Sequence, residues 1–208
     1  NVNVDPGNAT TPVLFEPPTL LAGQPEVWIA TAGGTHYGGC DVWVSLDNVT
    51  YEHAGSLAGK SCYGTASLAA GADPDTTNIL SVDLTLSGGA LAGVTADERD
   101  LLRSLCVVGG ELVSYRDATL TAPNRYNLAS LRRGAYGTAV VAHASGSPFV
   151  RLDGQVFRYP VTPAMVGKTL YVKLQAYNEY GNAHQDIATL SPTAYLIKGA
   201  PPADLAGY

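Results

Sequence analysis

The sequence predicts an all-β protein built of antiparallel β-sandwich or barrel modules, and three observations predict it. Charged residues are only 14% of the chain, while 208 residues include 23 glycines and 13 prolines, a balance that favours many connections and few helices. Thr, Val and Tyr, which fit a pleated and half-buried surface, are abundant. Short apolar or alternating runs recur between turns rich in Gly, Pro, Asn and Asp. At this length the chain can bury one large core or two small ones.

Residues 1–20 read as a connector, because Asp5-Pro6-Gly7 and Pro17-Pro18 favour turns and extended backbone over helix. Glu26 to Thr31 is nearly continuous in apolar character, the pattern of a strand covered on both faces. A loop through Gly33-Gly34 and Gly38-Gly39 leads into Cys40 to Leu46. There Val42, Val44 and Leu46 face one way and Asp41, Trp43 and Ser45 the other. Asp47-Asn48 then turns the chain into Val49 to His53, which makes a hairpin.

Ile79 to Leu86 alternates strictly, with Leu80, Val82, Leu84 and Leu86 predicted to point to the core. The one helical signature is Thr95-Ala96-Asp97-Glu98, an N-cap with acids in the first turn, so at most one short helix is expected. Gly109-Gly110 joins Cys106–Val108 to Glu111–Tyr115 as a second hairpin, and Ala122-Pro123-Asn124 turns that sheet into Tyr126 to Leu131. Next comes a corner, Arg132-Arg133-Gly134-Ala135-Tyr136-Gly137-Thr138, whose glycines permit two sharp turns with positive φ. Val156 to Tyr159 and Leu170 to Tyr177 are further strands. Ile187 to Ile197 is the last, broken by Pro192, and Pro201-Pro202 opens an exit linker. Glycine-rich breaks at 87–89 and 91–93 divide the chain into a linker (1–14), a sandwich domain (15–92), a second β domain (93–200) and the exit linker (201–208).

Composition also narrows function. A net charge of -6 without a basic cluster argues against a nucleic-acid partner. No apolar run approaches the roughly 20 residues of a membrane helix, and no signal peptide is visible. The chain starts at Asn1 rather than Met, which reads as a piece of something longer. Cys40, Cys62 and Cys106 lack C-x-x-C spacing, so zinc is not expected. They read as buried thiols, with a Cys40–Cys62 bridge open if those segments meet.

"LASLRRGAYGT", followed by "HASGSPFVRLD", resembles the Leu-x-Arg-Gly-x-x-Gly-Thr signature in the C-terminal region of phage tail tip, or baseplate hub, proteins. That group includes gene transfer agent host-specificity proteins and relatives of the lambda tip attachment protein. "GGELVSYRDATL" and "EVWIATAGGTHYGGCDVWVSLDNVTYEHAG" are similar to further parts of the same pattern, with Tyr37 where the family often has a turn Trp. "AYNEYGN" resembles the penultimate-strand ending of fibronectin type III domains. The resemblance implies a structural, non-enzymatic module of the distal tail of a virion, made in the bacterial cytoplasm. It implies no cofactor, contacts with other tail and baseplate proteins, and a homotrimer, if any, formed by the full-length protein.

The residues leave other chemistry to weigh. None of His36, His53, His143 and His184 sits in a nucleophile elbow. Asp41, Glu52, Asp83 and Glu111 are candidate carboxylates for cell-wall glycoside cleavage, yet each occupies a strand position that reads as solvent-facing. Asp73-Pro74-Asp75 lacks the graded oxygen ligands of a calcium loop and reads as a polar turn. Trp28, Tyr37, Trp43 and Tyr51 fall in one region of paired strands. They are the candidates for contact with a host surface glycan, the competing reading for Trp43 being packing under a second layer. Arg132 and Arg133, with Gly134, Gly137 and Thr138, read as a structural motif in which the arginines bracket the turn through its carbonyls or an acid such as Asp117 or Asp153. An anion clamp is the competing reading.

Overall fold

The computed structural model describes residues 2–199; the predicted exit linker, 201–208, lies outside them. The protein is mostly β, with antiparallel sheets, a six-stranded barrel and two short α-helices where one was expected. It divides into two compact units. One comprises residues 2–61 and 155–199, the other residues 62–154. The division therefore falls at 61/62 and 154/155 rather than near residue 92. The reason is strand pairing: a strand at residues 80–83 hydrogen-bonds to another at 125–132, across the glycine-rich breaks that looked like a boundary.

The first unit holds two sheets around one core. β1 (Val13–Phe15) pairs with β2 (Glu26–Ala30). Between them the four-residue helix α1 (Thr19–Ala22) ends on Gly23 at φ 86°, inside the stretch that read as connector. That stretch is pinned to the sheet. Thr10 donates through its N–H to the Ala32 carbonyl, and the Asn178 amide donates to the carbonyls of Val2 and Val4. Every residue of β2 is buried, as its unbroken apolar run predicts.

The second sheet of this unit contains β3 (Tyr37–Ser45) and β4 (Glu52–Ala58), a hairpin as expected, but with its second strand starting at Glu52 rather than Val49, which stays 81% exposed in the turn. In the other unit follow β5 (Tyr63–Leu68), β6 (Leu80–Asp83), α2 (Ala96–Asp100), β7 (Cys106–Val108), β8 (Glu111–Ala122), β9 (Arg125–Arg132) and β10 (His143–Arg151). The chain then returns with β11 (Phe157–Pro160), β12 (Thr169–Asn178) and β13 (Thr193–Leu196). The orders in the first unit are β1-β2-β11 and β13-β12-β3-β4. Val27 and Ile29 meet Cys40, Val42, Leu170, Val172 and Ala176 in their shared core. The predicted last strand is shorter than its apolar pattern, because residues 187–189 form a 3-10 turn capped by Asp186.

The barrel closes in the order β10-β5-β6-β9-β8-β7, with β7 pairing back onto β10. Closure leaves no free sheet edge in this unit. Leu80, Leu84, Val108, Val113, Leu128, Leu131 and Phe149, all fully buried, fill its core. Leu86, expected inside, is 51% exposed because β6 stops at Asp83 and the chain turns through residues 85–88. At α2 the expected cap is present: the Thr95 hydroxyl accepts the Glu98 N–H, and Glu98 accepts the Thr95 N–H.

All three cysteines are buried free thiols, so the conceivable Cys40–Cys62 bridge is not formed; Cys40 belongs to the first core and Cys62 to the second. Burial pushes the thiols of Cys40 and Cys62 up to about 11, and Cys106 up to about 12, so none is a ready nucleophile at neutral pH.

Candidate functional site

The Arg-Arg-Gly corner is where the barrel concentrates its charge. Strand β9 delivers Leu131 to the core at 0% exposure and then reaches Arg132 and Arg133. Gly134 takes φ 61°, Tyr136 φ 57° and Gly137 φ 76°, so the double turn expected of the glycines is made, with Tyr136 adding a third left-handed residue. A Cβ on Gly134 would come within 2.8 Å of the Thr138 carbonyl oxygen, so both space and backbone demand glycine there. Thr138 fastens the exit of the turn. Its hydroxyl donates to the Ala135 carbonyl at 2.9 Å and accepts the Leu112 N–H at 2.9 Å.

Arg133 is wholly enclosed, its side chain 0% exposed. Nε donates to Glu111 Oε1 at 2.6 Å and Nη2 to Oε2 at 2.9 Å, a bidentate fork. Nη1 reaches Asp75 Oδ2 at 3.1 Å and the Ala69 carbonyl at 3.2 Å, while Nη2 also reaches the Val141 carbonyl at 2.8 Å. His143 Nε2 lies 2.8 Å from Glu111 Oε2, and Gly134 donates its N–H to Oε1. Asp75 further accepts from the N–H groups of Thr77 and Asn78 and from the Asn78 side-chain amide. Arg132 grips Asp73 with Nε and Nη2, both at 2.9 Å, and touches Asp100 at 3.3 Å.

These contacts occupy both guanidinium groups of the corner. The arginines do bracket turns, but the acids they use are Asp73, Asp75, Asp100 and Glu111 rather than the sequence-near Asp117 and Asp153. Asp117 takes Arg116 and the Ser130 hydroxyl instead. The Asp73-Pro74-Asp75 turn is thus a receptor for guanidinium and backbone N–H groups. Glu111, which read as solvent-facing, is buried, because β8 begins beneath the returning corner. Burial opposes ionisation of Glu111, yet the bonds from Arg133 and His143 outweigh it and hold its carboxyl below the usual range. For Asp75 the same contest, burial against Asn78, Thr77 and Arg133, ends at about 2.

The other carboxylates and histidines are dispersed. Asp83 pairs with Arg125 at 3.1 Å and accepts from Thr85. Asp41 lies between His53, at 3.5 Å, and His184, at 3.1 Å, and Glu52 is exposed. His36 faces Glu179 at 3.4 Å. Among the described residues no three His, Cys, Asp or Glu are arranged to hold a metal ion. A groove of about 550 Å³ between residues 8–12 and 189–193 is lined by hydroxyl, amide and apolar groups and carries no titratable side chain.

Of the four aromatics considered for glycan contact, Trp28 and Tyr37 belong to the interior, at 3% and 5% exposure. Trp28 is enclosed by Phe15, by the Arg158 guanidinium 4.4 Å from its ring, and by Glu26, which accepts its indole N–H at 2.6 Å. Trp43 and Tyr51 are half-buried on the outer side of the sheet containing β3.

Residues 62–150 match the family described as Rcc01698-like, C-terminal. That family is associated with gene-transfer-agent and phage-like proteins. The match spans less than half of the 208 residues and falls within the barrel unit, from its first residue to the penultimate residue of β10. No curated protein matches the chain. The matched stretch contains the Arg133–Glu111–Asp75–His143 cluster in full. Sequence reasoning found the arginines but missed their acids, since Asp75 and Glu111 stand 58 and 22 residues from Arg133.

Proposed function

We propose that the chain is a structural module of a phage or gene-transfer-agent tail tip or baseplate hub protein, helping to build the distal tail and present host-contacting parts. One observation supports this reading above others. The stretch matching a family associated with gene-transfer-agent and phage-like proteins coincides with a closed barrel whose buried charged cluster, Arg133 with Glu111, Asp75 and His143, is consumed in holding its own turns. An enzyme keeps at least one polar group free to meet substrate. Here Glu111 accepts from Arg133, His143 and Gly134, and Arg133 spends its fork on Glu111, Asp75 and two carbonyls. In this reading the module turns nothing over, needs no cofactor and works in a virion through its shape and its contacts with neighbouring tail proteins.

The test is to label purified particles with an antibody against this chain and image them. Gold at the distal end of the tail is the expected result, together with tails lacking their tip when the gene is deleted. Particles without label and with intact tips would sink the reading. Clearing of purified cell walls by the isolated chain, abolished by a single carboxylate substitution, would replace it with a wall-degrading enzyme.

A further inference from the structure

The outer face of the β12-β3-β4 sheet carries side chains that neither the core nor the proposed tail role uses. Strand alternation sends Val42, Val44, Val172 and Leu174 inward, and Asp41, Trp43, Lys173, Gln175 and Tyr177 outward. Register then sets Trp43 between His53 and Lys173, and Asp41 between Ser56 and Gln175. The result is a band of rings lying along the sheet. Trp43 and His53 meet edge-on with centroids 5.1 Å apart, and Tyr177 and His184 are 5.3 Å apart. Tyr177 lies low because residue 39 is glycine: a Cβ there would stand 2.3 Å from the tyrosine oxygen.

Between the rings sit fixed polar groups. Asp41 accepts the Ser56 hydroxyl and faces both His53 and His184. Gln175 accepts the Trp43 indole N–H at 2.9 Å and donates to the Gln185 carbonyl. Charge on the face is largely used up locally. The Asp41 carboxylate is offset by the ammonium of Lys173 on the adjoining strand, which lies 4.6 Å above the Tyr51 ring and is bonded to the Ile187 carbonyl.

We propose that this face binds a neutral polysaccharide, with Trp43 and Tyr177 lying against the C–H faces of pyranose rings and Asp41, His53 and His184 bonding their hydroxyls. Flat aromatic surface interleaved with donors and acceptors matches the amphipathic faces of a sugar. The compensated charge suits a neutral chain over an anionic one. The inference is independent of the tail assignment, since it rests on a different unit.

Fluorescence and calorimetry of the whole chain test it, with two probes: the N-acetylglucosamine tetramer and a neutral O-polysaccharide freed of its lipid. Trp28, 3% exposed, is a built-in reference, so a ligand on the outer face should move the emission of Trp43 alone. The expected result is saturable heat and a saturable shift with at least one probe, weakened about tenfold by Trp43→Ala and severalfold by Asp41→Asn. Trp43→Phe should keep most of the heat and lose the shift. Which probe binds separates a peptidoglycan-type chain from a surface polysaccharide. No saturable heat with either probe up to about 10 mM overturns the proposal. So does binding unchanged in Trp43→Ala, or a Trp43 shift that follows protein concentration with dimer in sedimentation, which would assign the face to a second copy.

Discussion

Arg133, one residue past the end of β9, and Lys173, within β12, are both cations at the ends of long side chains, yet they stand in opposite surroundings. In the barrel, Arg133 has no exposed surface, and its five N–H groups meet two carboxylates and two carbonyls. In the two-sheet unit, Lys173 lies half-exposed over a tyrosine. The barrel has turned its polar groups inward at the corner, where they fix the path of a loop. The open sheet has left a polar and aromatic face towards water. Burial makes a charge indispensable once it is paired, and exposure makes it cheap to lose but able to meet a ligand.

The largest expected effect follows from the buried side of that contrast. Arg133→Met leaves Glu111 and Asp75 enclosed without their cation, and should cost about 3–5 kcal/mol. Cys62 and Cys106 report on this unit, so their labelling in increasing urea should begin at a much lower concentration, while Cys40 in the other unit stays protected. Equal early labelling of all three would mean that the corner is not local to the barrel. Trp28→Ala makes the mirror experiment, removing a ring packed by Phe15, Arg158 and Glu26, and should cost about 3–5 kcal/mol with Cys40 exposed first.

How much of this was legible in the chain depends on the range of the contacts. β2 was readable because burial on both faces leaves an unbroken apolar run, Val27-Trp28-Ile29-Ala30. The α2 cap was readable because its partners are three residues apart. β5 was not, since its inward positions include Gly64 and Ala66 and its apolar pattern is faint. Gly64 is small for a reason that only pairing reveals: a Cβ there would fall 1.9 Å from the Asp83 carbonyl oxygen. The arginines of the corner announced themselves, whereas nothing within ten residues of Asp75 or Glu111 says that a guanidinium will fold onto it.

Gly64→Ala therefore sharpens the comparison at the level of backbone. It should force β5 from β6 and cost about 1–3 kcal/mol, read as earlier labelling of Cys62. The acid limb of stability comes next. Asp75 is held at about 2 against an ordinary value of 3.8, and Glu111 is also depressed. A carboxyl depressed in the folded state adds stability that is fully present above its unfolded pKa and vanishes as pH falls through the folded one. The barrel should thus weaken progressively from about pH 4 downward, as tyrosine near-ultraviolet dichroism would record. Asp75→Asn should be weaker at neutral pH and show a shallower acid slope; an unaltered slope would remove Asp75 from the account.

The smallest expected effect closes the contrast. Trp43→Ala removes a ring of the same size as Trp28, but from the outer face, where the indole is half-buried and its N–H partner Gln175 can turn to water. The expected cost is about 1 kcal/mol or less, with urea midpoint and Cys40 protection close to those of the parent. A loss comparable to that of Trp28→Ala would mean that the ring supports the sheet rather than lying available on it. The sugar-binding comparison would then have to use Asp41→Asn, which leaves the rings in place. A small loss instead separates packing from recognition in one residue, because the same substitution would leave the fold intact while removing the surface against which a pyranose can lie.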